Sequence, residues 1–267
     1  MIPWLSLFFT LLAYSLISIG FVLMKKGISW INTKGKKDKS YYKNLLTWII
    51  GFLVLNSSIV PNTIALKDLE PHIVSAFAGW GVIVLVFLSS MVLKEKIYKS
   101  DFIFTLVIFV SILLLNIFEP KKDQTTVQIP YFISVSVLPF FILAPAFFKK
   151  ASRRLKTILF ASVSGISTGM IIVSVKALVT FSGFHVKLYF SSPYFYIYLF
   201  FSLAAFLTLQ VSYKLGHMML VGPVQYSTSI IYPALCSFFV FENHITMIQT
   251  ASLLLIIFGT ANIMKRH

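Results

Sequence analysis

The chain has 267 residues and a formal net charge of +15, yet only 12% of its residues are charged and 58% are hydrophobic, with a mean hydropathy of +0.87. A soluble domain averages about 25% charged residues and about 45–50% apolar ones. A water-soluble globular domain is therefore excluded, a polytopic all-α membrane protein is expected, and the single cysteine, Cys236, excludes an internal disulfide.

A bilayer core about 30 Å thick takes about 20 apolar residues per helix. By that measure nine transmembrane helices are predicted, over 3–24, 45–66, 72–93, 101–118, 129–148, 157–181, 193–214, 217–241 and 245–264. The first lacks a basic leader and its apolar run is too long for a signal peptide, so it reads as a span. The second carries Asn56, Ser57, Ser58, Pro61, Asn62 and Thr63. Pro61 removes a backbone bond and either breaks the helix beside a cavity or simply kinks it. In the third, Trp80 sits between Gly79 and Gly81 near mid-membrane, as a substrate wall through stacking or cation–π contact or as core packing. The run "GVIVLVFLSSMVL" after it is plain helix packing. The fourth span has 18 residues and the fifth leads into a basic loop.

The sixth span contains "GMIIVSVKALVTF" and places Lys176 in an apolar stretch. Gly165, Gly169, Ile172, Val173, Lys176 and Thr180 follow one another at helical steps of three and four, and the two glycines form a G-x-x-x-G that admits a close neighbour. Two readings of Lys176 stand. It faces the helix-packing side as the one charged residue within a span, or it snorkels to the outer interface about five residues away. Before the seventh span, "YFSSPYFYIYLFF" (Tyr189–Phe201) reads as an outer aromatic belt. The seventh and eighth spans add Gln210, Tyr213, Gln225, Tyr226, Tyr232 and Pro233. Six residues separate Tyr226 from Tyr232, so on a regular helix they face different ways.

The candidate substrate-binding set is thus Lys176, Asn56, Asn62, Trp80, Gln210, Gln225, Tyr226 and Tyr232. No catalytic residue, metal ligand or cofactor is assigned. The five histidines fall at helix ends or in loops without metal-ligand spacing, and no phosphate loop, dinucleotide fingerprint or nucleophile elbow occurs. All eight acidic residues also lie in loops or at helix ends, and an enzyme is not expected.

Basic residues cluster after the first, third, fifth, seventh and ninth spans, which puts 18 of the 23 on one side. The positive-inside rule then places the N-terminus outside and the C-terminus in the cytoplasm of a plasma-membrane protein. The high net charge follows from topology and needs no nucleic-acid partner. Anionic lipid headgroups are the expected contact.

An internal repeat follows the same logic. "ALKDL" (Ala65–Leu69) and "LKEKI" (Leu93–Ile97) close the second and third spans, as "YKLG" (Tyr213–Gly216) and "FENHI" (Phe241–Ile245) close the seventh and eighth. Lys67 to Glu95 and Lys214 to Glu242 are both 28 residues, and Gly20 and Gly169 precede lysines at a common offset near 147–150. A four-helix repeat over 1–120, a linking helix over 121–150 and a second repeat over 151–267 are expected. The odd linking helix inverts the second repeat, a transporter architecture.

"ALKDLEPHIVSAFAGWGVIVLVFLSSMVLKEKI" resembles the drug/metabolite transporter (EamA-like) superfamily, in which a helix ends in Ala-Leu and the next in a Glu-containing turn. "GMIIVSVKAL" and "LQVSYKLGHMMLVGPVQYSTSIIYPALCSFFVFEN" are similar to the NIPA-type magnesium transporters within it. The resemblance implies a secondary transporter that rocks two inverted halves about a midplane cavity, with a small-molecule or ion substrate. A small polar or amphipathic solute is the leading expectation, anionic if Lys176 faces the path. A magnesium carrier is the second, and a lipid-phosphate flippase or non-transporting scaffold the third. The oligomeric state stays open.

Overall fold

A computed structural model describes residues 4–29, 39–65, 77–117, 128–147, 151–182, 189–241 and 246–266. Among them the chain is helical apart from short turns, with no strand. In chain order the helices are α1 (Trp4–Gly27), α2 (Lys39–Ser57), α3 (Ile59–Ala65), α4 (Ala78–Leu93), α5 (Lys99–Ile117), α6 (Ile129–Leu143), α7 (Arg153–Ser182), α8 (Pro193–Leu215), α9 (Met218–Phe241) and α10 (Met247–Arg266). Among the described residues six stretches are long and apolar enough to cross a membrane: Trp4–Gly27, Lys39–Asn62, Ile129–Phe147, Arg153–Val175, Pro193–Leu215 and Met247–Arg266.

The helices occupy the stretches read from hydropathy, with two informative departures. Helix α2 starts at Lys39 rather than 45, because exposed Lys39, Tyr42 and Lys43 continue the helix into the headgroup region without needing apolar side chains. The second predicted span is broken at Ser58. Pro61 has no N–H for the Ser57 carbonyl, and the Ser58 amide and hydroxyl both turn back to Leu55 O, at 3.3 and 2.6 Å. The early part of the third span (72–76) and the outer-loop charges Lys67, Glu70, Lys121, Lys187 and Glu242 lie outside the described residues.

The chain forms two compact units. Unit 1 comprises Met1–Glu119, His217–Pro223 and Ile248–His267, and unit 2 comprises Pro120–Gly216 and Val224–Met247. In lipid, helices gain little from burying leucine, since acyl chains are equally apolar; close approach and interhelical hydrogen bonds hold them instead. Unit 1 shows both. A Cβ on Gly20 of α1 would stand 2.8 Å from the Gly51 carbonyl of α2, so these two backbones touch. Gly20 meets Leu55 while Gly27 meets Trp48, an antiparallel pairing. Against α4, α1 donates the Ser18 hydroxyl to the Gly81 carbonyl at 2.7 Å. Short α3 lays Ala65 against Leu7, Phe9 and Tyr14 of α1.

Unit 2 is built around α7. Ser164 Oγ donates to the Ala205 carbonyl of α8 at 2.9 Å, and Arg153 at the start of α7 caps the end of α8 through the Leu215 carbonyl at 2.7 Å. Those two contacts make α7 and α8 antiparallel. On another side of α7, Gly165 meets Gln225, Thr228 and Ser229 of α9, and Gly169 meets Tyr232 and Pro233. Both numbers rise together, so α7 and α9 run parallel. Phe132 of α6 closes the cluster edge-on to Tyr194, with ring centroids 5.1 Å apart.

Candidate functional site

Polar groups in a hydrocarbon environment have to find partners, so each candidate is judged by where its hydrogen bonds go. In unit 1, Trp80 Nε1 donates to Ser15 Oγ at 3.1 Å, and Ser15 Oγ donates in turn to the Leu11 carbonyl at 2.8 Å. Ser18 and Gly81 make the next rung of the same seam. Trp80 is therefore a half-buried indole held by its ring nitrogen at an α1–α4 interface, with Asn62 on the broken α3 against the same α1. The Asn62 Oδ1 is buried without a hydrogen-bond partner among the described residues. Asn56 is a different case. It stands on the exposed side of α2 and donates Nδ2 to Phe52 O at 2.7 Å. A polar residue that bonds one turn back satisfies itself and can face lipid, so the seam does not include Asn56.

In unit 2, Gln210, Gln225, Tyr226 and Tyr232 are all buried. Tyr232 has a structural explanation. Pro139, inside α6, has no N–H to give the Val135 carbonyl four residues back, and the Tyr232 hydroxyl donates to that carbonyl instead. Tyr232 is a clasp between α9 and α6. Removing its hydroxyl leaves a buried carbonyl unpaired, so Tyr232→Phe is expected to cost about 1–2 kcal/mol, read as a lower thermal midpoint in detergent. Pro139→Ala restores a backbone donor and should largely rescue it.

Lys176 lies in α7, but its side chain is outside the described residues. Its register can still be followed. The line through Gly165 and Gly169 seats on α9, whereas Ile172 on that line is 55% exposed. The face expected through Gly165, Gly169, Ile172, Val173, Lys176 and Thr180 is thus not uniform among the described side chains: Val173 is buried while Ile172 is exposed.

The third cluster is built on Glu95, which in the sequence marks only the turn closing the third span. Glu95 follows α4, where Lys94 adopts a left-handed conformation (φ 57°) and turns the chain. The Glu95 carboxylate accepts the Met218 N–H through Oε1 and the Met219 N–H through Oε2, each at 2.8 Å. These are the first two amides of α9, which no carbonyl of their own helix can satisfy. A carboxylate there also meets the positive end of the helix dipole. His217 Nδ1 lies 3.7 Å from Oε1, largely in solvent. Asp101 does the equivalent locally: Oδ2 accepts the Tyr98 N–H at 2.9 Å and caps α5.

The exterior completes the picture. Leu53, Phe87, Leu203 and Leu254 stand 59–62% exposed, which water would not tolerate over so many helices and hydrocarbon accepts. Together with six helices of crossing length, this defines a multi-pass helical membrane protein. No family model, curated protein or solved structure matches the chain.

Proposed function

We propose that the protein is a secondary transporter of the drug/metabolite type, with nine spans in two inverted four-helix repeats, moving a small polar or amphipathic solute by alternating access. The observation that carries this reading is a shared packing register. In unit 1 the parallel contacts Ser18–Gly81 and Ser15–Trp80 are 63 and 65 residues apart. In unit 2 the parallel contacts Gly165–Thr228 and Gly169–Pro233 are 63 and 64 residues apart. The antiparallel pairs agree as well. Moving Gly20–Gly51 by 149 residues gives 169 and 200, and the Ser164–Ala205 bond lies five residues back on one helix and five forward on the other. Chance similarity between apolar sequences does not reproduce contacts in both directions. Two copies of one helix arrangement, in a chain whose basic loops put an odd helix between them, support inverted halves that can gate a path alternately.

The solute is expected to be small and rich in hydrogen-bonding groups, with Lys176 favouring an anionic one, in a plasma membrane with the N-terminus outside. The test is counterflow in proteoliposomes of the full chain, after a thermal-shift screen over metabolites. Saturable counterflow of an organic solute is the expected result. Magnesium flux without it would move the assignment to a NIPA-like carrier. Scrambling of labelled phospholipid would make the protein a flippase, and no movement of any of the three would leave a scaffold.

A further inference from the structure

Hydroxyls on these helices follow a rule. Thr10, Ser15, Thr157, Thr168, Thr208, Thr228 and Ser252 all donate to the carbonyl four residues back, the usual resort of Ser and Thr in a membrane helix. Four helix Ser and Thr hydroxyls find no acceptor at all among the described residues, Ser100 and Thr105 of α5 and Ser167 and Ser174 of α7, and only the α7 pair shares one line of its helix. Ser167 is 1% exposed and Ser174 0%, and neither Oγ has a hydrogen-bond partner among the described residues. Seven residues make 700°, 20° short of two turns, so both lie on one line of the helix about 10 Å apart. That line is roughly opposite the Gly165–Gly169 contact with α9, and about a quarter-turn from the Ser164 side that meets α8. The hydroxyls are therefore consumed neither by the helix that carries them nor by those two interfaces.

Unit 1 gives the comparison. Ser15 and Ser18 stand 149 residues before Ser164 and Ser167. There Ser18 donates to the Gly81 carbonyl at 2.7 Å, and Ser15 accepts the Trp80 indole. Ser164 also finds a carbonyl, at Ala205. Of the four equivalent hydroxyls, Ser167 alone has no partner among the described residues. A buried hydroxyl without a bond costs about 1–3 kcal/mol, and two on one line of one helix is a pattern that packing does not ask for.

We propose that Ser167 and Ser174 are the hydroxyl line of the solute path on α7, donating to acceptor oxygens of the substrate or of the water that travels with it. This rests on the transporter reading and names a substrate contact within it: carboxylate, phosphate, carbonyl or hydroxyl oxygen, not an apolar surface.

The single native thiol makes the test direct. In full-length Cys236→Ala protein, Ser167→Cys and Ser174→Cys are each reconstituted and exposed to a small water-soluble methanethiosulfonate. Phe201→Cys, in the buried apolar cluster on α8, and Leu203→Cys, on the exposed apolar surface, are the controls. Only thiols that reach water react, so both serine positions should be modified about tenfold or more faster than the controls. A solute that shows counterflow should slow that modification. Ser167→Ala should weaken counterflow without lowering the thermal midpoint, since it breaks no internal bond. Rates no faster than the controls would overturn the proposal, and so would modification that no transported solute slows. Counterflow is measured on the native protein. Transport with two dry serine positions removes the hydroxyl line alone, whereas fast thiols without transport keep a wet path and remove the transporter reading.

Discussion

Glu95→Ala is expected to lower the thermal midpoint and to release the Met218 and Met219 amides to hydrogen exchange. The carboxylate spans 123 and 124 residues of sequence to reach these two N–H groups, and its own side chain is only 10% exposed. Hydrogen bonds to a charged group contribute about 1.5–3 kcal/mol each, and the pair shares one carboxylate, so the loss should be about 2–4 kcal/mol rather than the full sum. Glu95→Gln keeps one oxygen and should fall between the two. Its amide can accept one N–H, while its NH2 group would face the other donor. Added salt should change little, since the bonds are short and shielded, whereas a solvent-exposed ion pair with His217 would be screened. Unchanged exchange at Met218 and Met219 in the alanine variant would show that the cap is not what holds the start of α9. The ordering alanine, glutamine, glutamate separates the cap from general damage, because a merely misfolded variant would not exchange selectively at those two amides.

Most of the helices were legible in the sequence because hydropathy reports on the surrounding solvent, and a bilayer imposes that signal on every residue of a span. The break at Ser58 was legible for a related reason: Pro61 cannot donate, whatever surrounds it. The candidate site was legible only where a side chain is large. Trp80 stands out in any reading, and the structure does fasten its indole nitrogen to α1. Asn56 reads as inward-facing because it is a polar amide inside a span, and only its bond to Phe52 shows that it satisfies itself on the exposed side of α2. The role of Tyr232 depends on a proline 93 residues earlier, on another helix, whose missing N–H frees the carbonyl that Tyr232 serves. No local pattern encodes that. Glu95 reads in the sequence as part of a Glu-containing turn, and its long-range cap lies beyond any spacing rule. The serines of α1 and α7 were overlooked because a small hydroxyl leaves hydropathy almost unchanged. What distinguishes Ser167 from Thr168 is only where each proton goes.

Gly165→Ala should be the most damaging of the small substitutions, against the usual sign. In a helix interior alanine is favoured over glycine by about 1 kcal/mol, so a free surface would gain from the change. Here the new methyl would fall inside contact distance of both Thr228 Oγ1 and the Gln225 carbonyl, with Ser229 N at 3.0 Å. Overpacking of this kind costs about 1–3 kcal/mol when side chains can yield, and a backbone carbonyl in a continuous helix yields least. The clash outweighs the propensity, and the thermal midpoint should fall. Thr228→Ala in the same chain removes the side-chain obstacle but leaves Gln225 O, so rescue should be partial. Gly169→Ala is the graded comparison. Its nearest neighbour is Pro233 Cδ at 2.7 Å, a side-chain ring edge rather than a backbone carbonyl, so its loss should be smaller. If Gly165→Ala is neutral or stabilising, α7 and α9 do not approach as closely as two facing backbones, and the parallel contact shared with α1 and α4 loses half its support. If the order holds and rescue is partial, the close approach is real at the atoms named, and it is the glycine line of α7 that sets the distance between these helices.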